Sequence, residues 1–362
     1  MVLVDYISIL APGTNHKQHH VKSLSYRAVT IQLKMKKLNI ITALLLLASS
    51  ALYAIEKSDV TITGTVKGVN SGKIYLQKFD NKMFFSIDSA EIKDGKFEFK
   101  QQLELPELYG LTLNKAKSPL YVFLESGKIN ATIDTAKNYR ASTLTGSKSN
   151  DLFTAFKKQE DVKISEFIKE NPTSIVSAYV LYRNYSYRLT PEEINENIGY
   201  LDPSLHSTPY VAVLKELVGT LSAVSVGKPA PDFTSTDPKG KSVSLSSHRG
   251  KYVLLDFWAA WCGPCRQENP NIVKAYKKYK AKGFDVFAVS LDRTKEAWVK
   301  AIKDDKLTWT HVSDLKYWNS EAAKLYGVRA IPSNVLIDPD GIIIARNLTG
   351  EKLQEKLAEL LK

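Results

Sequence analysis

The stretch "YVLLDFWAAWCGPCRQENP" (252–270) decides how this chain is read. Tyr252 to Ala259 is an almost unbroken apolar run, as in a strand buried on both faces. From Cys265 onward, "CRQENPNIVKAYKKYKAKG" has helical spacing and stops at Gly283, a residue suited to a helix C-terminus. The chain's two cysteines, Cys262 and Cys265, sit at this junction. The first turn of a helix exposes unpaired N–H groups and partial positive charge, and both favour a thiolate at Cys262 over a thiol. Cys265 lies one turn on, facing the same side, within reach of a disulfide and farther from the helix end. The spacing predicts Cys262 as nucleophile and Cys265 as the thiol that resolves the mixed disulfide. Gly263 lets a partner's backbone approach. Pro264 stiffens the turn where a helix has no hydrogen bond to lose, and Trp261 offers a flat apolar shoulder beside the sulfur.

Downstream, the chain alternates strand and helix. Strand "FDVFAVSLD" (284–292) is followed by helix "TKEAWVKAIKDD" (294–305), strand "TWTHVSD" (308–314) and helix "NSEAAKLYG" (319–327). A hairpin around Asp340–Gly341 (333–346) and a closing helix end the sequence. Alternation of this kind predicts an α/β domain over 225–362, with a central mixed, largely parallel sheet flanked by helices. "SVGKPAPDFTSTDPKGK" (225–241) is its entry loop. Upstream, residues 55–147 read as six or more short strands with Gly, Asn and Asp between them, an all-β sandwich or barrel. Residues 148–224 carry helical spacing, with Thr190–Glu193 and Thr173 as N-terminal caps. The tyrosines there (Tyr179, Tyr182, Tyr185, Tyr187, Tyr200) read as packing between helices rather than as a binding surface.

The start of the chain bears on location. "MKKLNIITALLLLASSALYA" (35–54) has two lysines, a short apolar run and small residues before Ala54, the three-part pattern of a secretory signal peptide. The run is shorter than the ~20 residues of a membrane span, with an uncleaved anchor as the alternative. Residues 1–34 read as an over-extended start, and "HKQHH" (16–20) is not read as a metal site. Residues 1–54, with six basic residues and one acidic residue, account for part of the formal charge, which falls from +12 to +7 without them. The remaining basic residues are interleaved with acids, which argues for a solvated surface and against nucleic-acid binding. In an exported protein, two adjoining cysteines close too short a loop to act as a structural staple, so chemistry explains them better.

The W-C-G-P-C sequence after an apolar strand resembles the active site of the thioredoxin superfamily. Asp256, six positions before Cys262, matches the family's buried acid, which the resemblance implies moves the proton of the second cysteine. Pro270 matches the helix-kinking proline. "RAIPS" (329–333) puts Pro332 where the family has its cis-proline, with Ile331 turned towards a bound peptide. Residues 226–362 resemble in particular the exported branch similar to TlpA and ResA, through "VGKPAPDFT", "VSLSSHRGKYVLLDFWAAWCGPC" and an extra β–α segment near 293–318. "ITGTV" (62–66), "IDSAEIKDGKFEFK" (87–100) and "VFLESGKI" (122–129) resemble the β-rich DUF4369-type domain that precedes many such domains. One departure stands out: where thioredoxins keep a lysine near the buried acid, this chain has Ala288.

The resemblance implies an exported thiol–disulfide oxidoreductase acting on protein disulfides or dithiols, with a membrane-linked electron donor and no cofactor or metal. Gly-Pro between the cysteines is the dipeptide of reducing thioredoxins. The TlpA and ResA-like branch mostly supplies reductant outside the cytoplasm, including for cytochrome c maturation, so a reductase is expected. A disulfide oxidase or isomerase, a peroxiredoxin-like peroxidase, and a binding protein with an accessory redox domain are the alternatives. Residues 257–261, "FWAAW", lack the Pro and Thr context of a peroxidatic cysteine. Zinc needs about four ligands; there is no third cysteine, and His206, His248 and His311 read as surface or loop residues without ligand spacing. No C-x-x-C-H haem-attachment motif is present.

Overall fold

A computed structural model describes residues 57–115, 117–136 and 138–362. The signal-peptide segment 35–54, the start 1–34 and "HKQHH" lie outside the described residues. Lys57–Lys362 forms one compact unit. Among the described residues, no helix is long and apolar enough to cross a membrane.

The first part is an eight-stranded, barrel-like sheet. Its strands are β1 (Lys57–Val66), β2 (Ser71–Asp80), β3 (Met83–Lys93), β4 (Lys96–Glu104), β5 (Glu107–Thr112), β6 (Leu120–Leu124), β7 (Gly127–Ile133) and β8 (Thr143–Thr145). They pair in the order β6-β5-β2-β3-β4-β1-β7-β8, antiparallel except for β1 with β7. Strict alternation buries Val60, Ile62 and Val66 of β1 on one face. β3 was not apparent in the sequence because only Ile92 of its residues is buried, so no apolar period marks it. Helix α1 (Lys148–Phe156) crosses between the edge strands β6 and β8. It is fastened to β6 where the Phe123 N–H donates to Asn150 Oδ1 (3.3 Å) and to the following residue Glu125 by the Ser149 N–H (2.8 Å).

The helical stretch continues with α2 (Ile164–Glu170), α3 (Ile175–Val180), which runs on as a π-helical turn through Tyr185, α4 (Pro191–Tyr200) and α5 (Pro209–Ala223). Thr190 and Glu193 form a reciprocal capping box on α4. The cap of α3 is Ser174, whose hydroxyl accepts the Val176 N–H, rather than the expected Thr173. Tyr179, Tyr182 and Tyr210 are buried and share a core with Phe79, Leu108 and Phe123 of the β sheet. Their rings meet edge-on or tilted at 5.0–6.4 Å, geometries that add to the area they bury. The helices are therefore built onto the sheet rather than strung after it. Tyr187 is exposed.

The C-terminal part is thioredoxin-like. After a small β9–β10 hairpin (Thr234–Thr236, Ser242–Ser244), a five-stranded sheet runs in the order β13-β12-β11-β14-β15. Its strands are β11 (Tyr252–Trp258), β12 (Phe284–Ser290), β13 (Thr310–Val312), β14 (Ser333–Ile337) and β15 (Ile343–Arg346). β11–β12 and β12–β13 are parallel, whereas β11–β14 and β14–β15 are antiparallel. The sheet is thus mixed and evenly divided, not largely parallel, because the chain enters β14 antiparallel to β11 and then reverses again in the Asp340–Gly341 hairpin. Helices α6 (Gly263–Tyr279), α7 (Lys295–Asp304), α8 (Glu321–Leu325) and α9 (Glu351–Leu360) flank it. Every residue of β12 is buried, and β11 is buried from Val253 to Trp258, which explains the unbroken apolar runs.

His311 departs from its expected surface position. It is buried on β13, in ring contact with Trp309 and Trp258, and neither ring nitrogen has a partner among the described residues. Burial pushes its pKa down from 6.5 to about 3, so the ring is neutral in the fold. An unfolded chain takes up this proton first, so stability is lost as pH falls from 6.5 towards about 3. His311→Phe should be neutral or stabilising by about 1 kcal/mol at pH 7.5, since it replaces an unpaired polar ring by an apolar one. Its advantage should widen at pH 5 by up to about 1.4 kcal/mol per pH unit. Urea unfolding of both proteins at the two pH values checks this; equal losses on acidification would contradict it.

Candidate active site

Strand β11 delivers the chain to the redox pair. Its neighbours β12 and β14 hold it on both edges, and the chain leaves through Ala259, Ala260 and Trp261. Cys262 is the N-cap of α6, with φ −85° and ψ 98°. The Cys262 N–H donates to Ala259 O (3.1 Å), the Arg266 N–H donates to Cys262 O (3.0 Å), and the Cys265 N–H donates to Cys262 Sγ (3.2 Å). The sulfur thus takes the place a serine or aspartate oxygen occupies in ordinary N-caps, where backbone N–H groups and the helix dipole favour negative charge. Cys262 and Cys265 are joined in a disulfide with Cα atoms 5.3 Å apart. Both are almost inaccessible, at 4% and 1% exposure. Gly263 and Pro264 are exposed, and a β-carbon added at Gly263 would meet nothing within 4 Å, so the space beside Gly263 is open. Trp261 is 46% exposed.

Residues distant in sequence fix this turn. The Asp292 carboxylate, buried at the end of the β12 run, accepts the Ala260 N–H (3.0 Å) and the Ser290 hydroxyl (2.6 Å). Arg266 pairs with Asp305 through both Nε and Nη2, and its Nη1 donates to Ala260 O (3.3 Å). Asn269 Nδ2 also donates to Asp305 (2.6 Å). The Trp261 Nε1–H donates to Leu291 O (3.2 Å), and its ring lies 5.1 Å from Tyr317 and 5.9 Å from Trp318. Of these, Trp261 is marked by the sequence alone; Asp292, Arg266, Asn269 and Asp305 are not, because their effect comes from folding the ends of β12 and α7 beside the cysteines.

Asp256 stands in β11 opposite Ala288 of β12 and Asn334 of β14. It is 3% exposed. Burial, with a smaller contribution from Glu268, raises its pKa from 3.8 to about 7. Glu268 lies one turn after Cys265 on α6, a spacing that could have marked it; it accepts the Gly350 N–H (2.9 Å). Ser333 pairs with Phe257, so the Ile331–Pro332 bond, which is cis, lies beside the end of β11 from which the cysteines emerge. Next to Pro332 a groove of about 660 Å³ opens, lined among others by Arg188, Thr190 and Leu221 of the helical stretch and by Arg329 and Arg346. Among the described residues, no group of three or more His, Cys, Asp or Glu could hold a metal ion. His248 pairs with Asp285 at 3.2 Å, and a His206 ring nitrogen lies 3.2 Å from Ile198 O. A buried disulfide at a helix start, a buried acid with a raised pKa and the exposed Trp261, Gly263 and Pro264 beside it together suit reversible disulfide exchange.

The AhpC/TSA family model matches residues 226–346, and the model for a domain of unknown function, DUF4369, matches residues 60–153. The chain is 39% identical over 139 residues to the thiol-disulfide oxidoreductase ResA of Bacillus thuringiensis, covering 38% of this chain and 78% of that protein. It is 36% identical over 142 residues to ResA of Geobacillus kaustophilus, covering 38% and 80%. Among solved structures, the thioredoxin domain of a thiol-disulfide oxidoreductase from Bacteroides vulgatus shares 40% identity, covering 38% of this chain and 99% of that one, with a TM-score of 0.37.

The raised pKa of Asp256 has a consequence for stability. The unfolded chain loses this proton near pH 3.8 and the folded chain near 7, so stability falls as pH rises through that window and the deficit is complete above it. Asp256→Asn should therefore be more stable than the parent at pH 8 and close to it at pH 4. The gap should build by up to about 1.4 kcal/mol per pH unit. Denaturant unfolding across pH 4–8 measures it; a constant difference between the two proteins would contradict the assignment.

Proposed function

Because this chain belongs to the ResA-type thiol–disulfide oxidoreductases, we propose that it works outside the cytoplasm as a reductase of protein disulfides through Cys262-Gly-Pro-Cys265. The observation that carries this reading is the Cys262 sulfur at the α6 N-cap, accepting the Cys265 N–H, with the second sulfur within bonding reach. In the reduced protein, the Cys262 thiolate attacks one sulfur of a partner disulfide. A mixed disulfide forms and the partner's other sulfur leaves as a thiolate. Cys265, losing its proton to Asp256, then attacks Cys262 Sγ, forming the intramolecular disulfide and releasing the partner's second sulfur. Two electrons pass to the partner. A thiol-bearing electron donor, membrane-linked in this reading, recharges the pair.

The roles of the surroundings follow from their positions. Asp256 suits proton exchange near neutral pH, since a base works best with a pKa close to the working pH. Ala288 stands opposite it across the strands, where thioredoxins keep a lysine. Trp261, Gly263 and Pro264 form the exposed face a partner meets, and Ile331 and Pro332 border it on the other side. The leader at 35–54 and the interleaved surface charge support export and a protein partner rather than a nucleic acid. The AhpC/TSA match favours a second reading, a peroxidase; the apolar "FWAAW" segment before Cys262 weighs against it.

Cys262→Ser should abolish reduction of insulin by the pre-reduced protein, and Cys265→Ser should accumulate a mixed disulfide visible on non-reducing gels. The mechanism fails if both variants keep parental activity. Equilibration with dithiothreitol and glutathione buffers should place the potential near the about −270 mV of thioredoxins. A value near the about −120 mV of strong oxidants would reverse the direction of the reaction. Consumption of hydrogen peroxide at a rate exceeding insulin reduction would favour the peroxidase.

A further inference from the structure

We propose that Asn81, at the tip of the β2–β3 hairpin, is a positioning residue for the redox site, fixing the gap through which a protein disulfide reaches Cys262. The inference rests on the thiol–disulfide exchange reading above, and it gives the N-terminal β sheet a part in it. The hairpin turn consists of Asn81 and Lys82, with φ of 39° and 63°. Both are in the left-handed region, as a two-residue turn of this kind requires, and Asn is favoured at its first position. The turn does not end in solvent. It reaches the thioredoxin-like part at the 317–319 turn, which packs on Trp261, and at Arg329, shortly before the cis-proline.

Asn81 uses its whole amide there. Nδ2 donates to Trp318 O (3.3 Å) and to Asn319 Oδ1 (2.6 Å), and Oδ1 accepts from Arg329 Nη1 (3.4 Å). Trp318 stands 5.9 Å, ring to ring, from Trp261, the residue before Cys262. Arg329 lies three residues before the cis-proline Pro332. One side chain from the β sheet therefore ties the aromatic wall on one side of the site to the cis-proline segment on the other. Its neighbours reinforce the contact. Lys82 Nζ lies 4.2 Å over the Trp318 ring, buried, and the guanidinium of Arg329 stacks 4.5 Å over Tyr182. Burial, with Arg329 and Arg183 nearby, lowers the Lys82 pKa to about 5, so the amine rests on the indole as a neutral group. Among the described residues, Nε and Nη2 of Arg329 are buried without a partner, which leaves the Asn81 carbonyl as the acceptor found for that side chain.

The physical consequence is selective. A small disulfide needs only the sulfur and a few ångströms of open space above Gly263. A polypeptide must also fit between Trp261 and Pro332, so it senses whether those two walls keep their separation. Loosening the tie should cost affinity for protein disulfides and leave the intrinsic chemistry of the cysteines alone.

The test compares the full chain with Asn81→Gly, which keeps the turn because glycine accepts positive φ and removes only the amide. Reduction of insulin and of the small aromatic disulfide DTNB by the pre-reduced proteins is measured, together with reduction potential and melting temperature. Loss of hydrogen bonds of ordinary strength predicts a KM for insulin raised about three- to tenfold. The insulin kcat and the DTNB rate should stay within about twofold, and the potential should be unchanged. Parallel losses on both substrates with a lowered melting temperature would show a merely structural role and overturn the proposal. So would a variant that matches the parent in every readout. A parent inactive on both disulfides would instead overturn the exchange reading itself, and this inference with it.

Discussion

The Cys265 amide directed at the Cys262 sulfur is the contact on which the redox turn depends. A thiol at a helix N-cap gains from backbone dipoles only if the turn before it is rigid, and this turn is held from several directions. β11 is anchored on both edges. Asp292 and Arg266 grip Ala260 from its N–H and its carbonyl, and the Arg266–Asp305 pair ties α6 to the end of α7. The cost of this packing is concentrated at Asp256, an acid buried so deeply that it holds its proton to about neutral pH. Strain of that sort is commonly concentrated where a group has chemistry to perform.

The other half of the molecule is joined to this site by packing as well as by the chain. Aromatic residues of the sheet and of α1, α3 and α5 form one core, and the Tyr210 hydroxyl of α5 donates to the half-buried Glu107 of β5, whose pKa is raised by desolvation. A rigid body built this way can carry the Asn81 turn to a defined place. It also supplies one wall of the groove beside Pro332, where the helical stretch faces the cis-proline segment. The ResA relatives match over 38% of this chain, and the DUF4369 model covers residues 60–153, which include this hairpin.

The residues 252–270 by themselves determined the buried strand, the helix start and the dithiol, because burial on both faces and helix-end chemistry are local properties that residue order records directly. The strand alternation upstream and the capping box at Thr190 were legible for the same reason. β3 was not, since its residues bury almost nothing, and His311 was misjudged because its burial depends on Trp258 and Trp309 from elsewhere in the chain. Only the tertiary structure decided that half of the central sheet's pairings are antiparallel, and that Glu268 bears on Asp256. It alone also set a β-hairpin amide between Trp318 and Arg329. Those facts depend on which distant segments meet, and contacts between residues some 240 positions apart leave no period or spacing in the sequence.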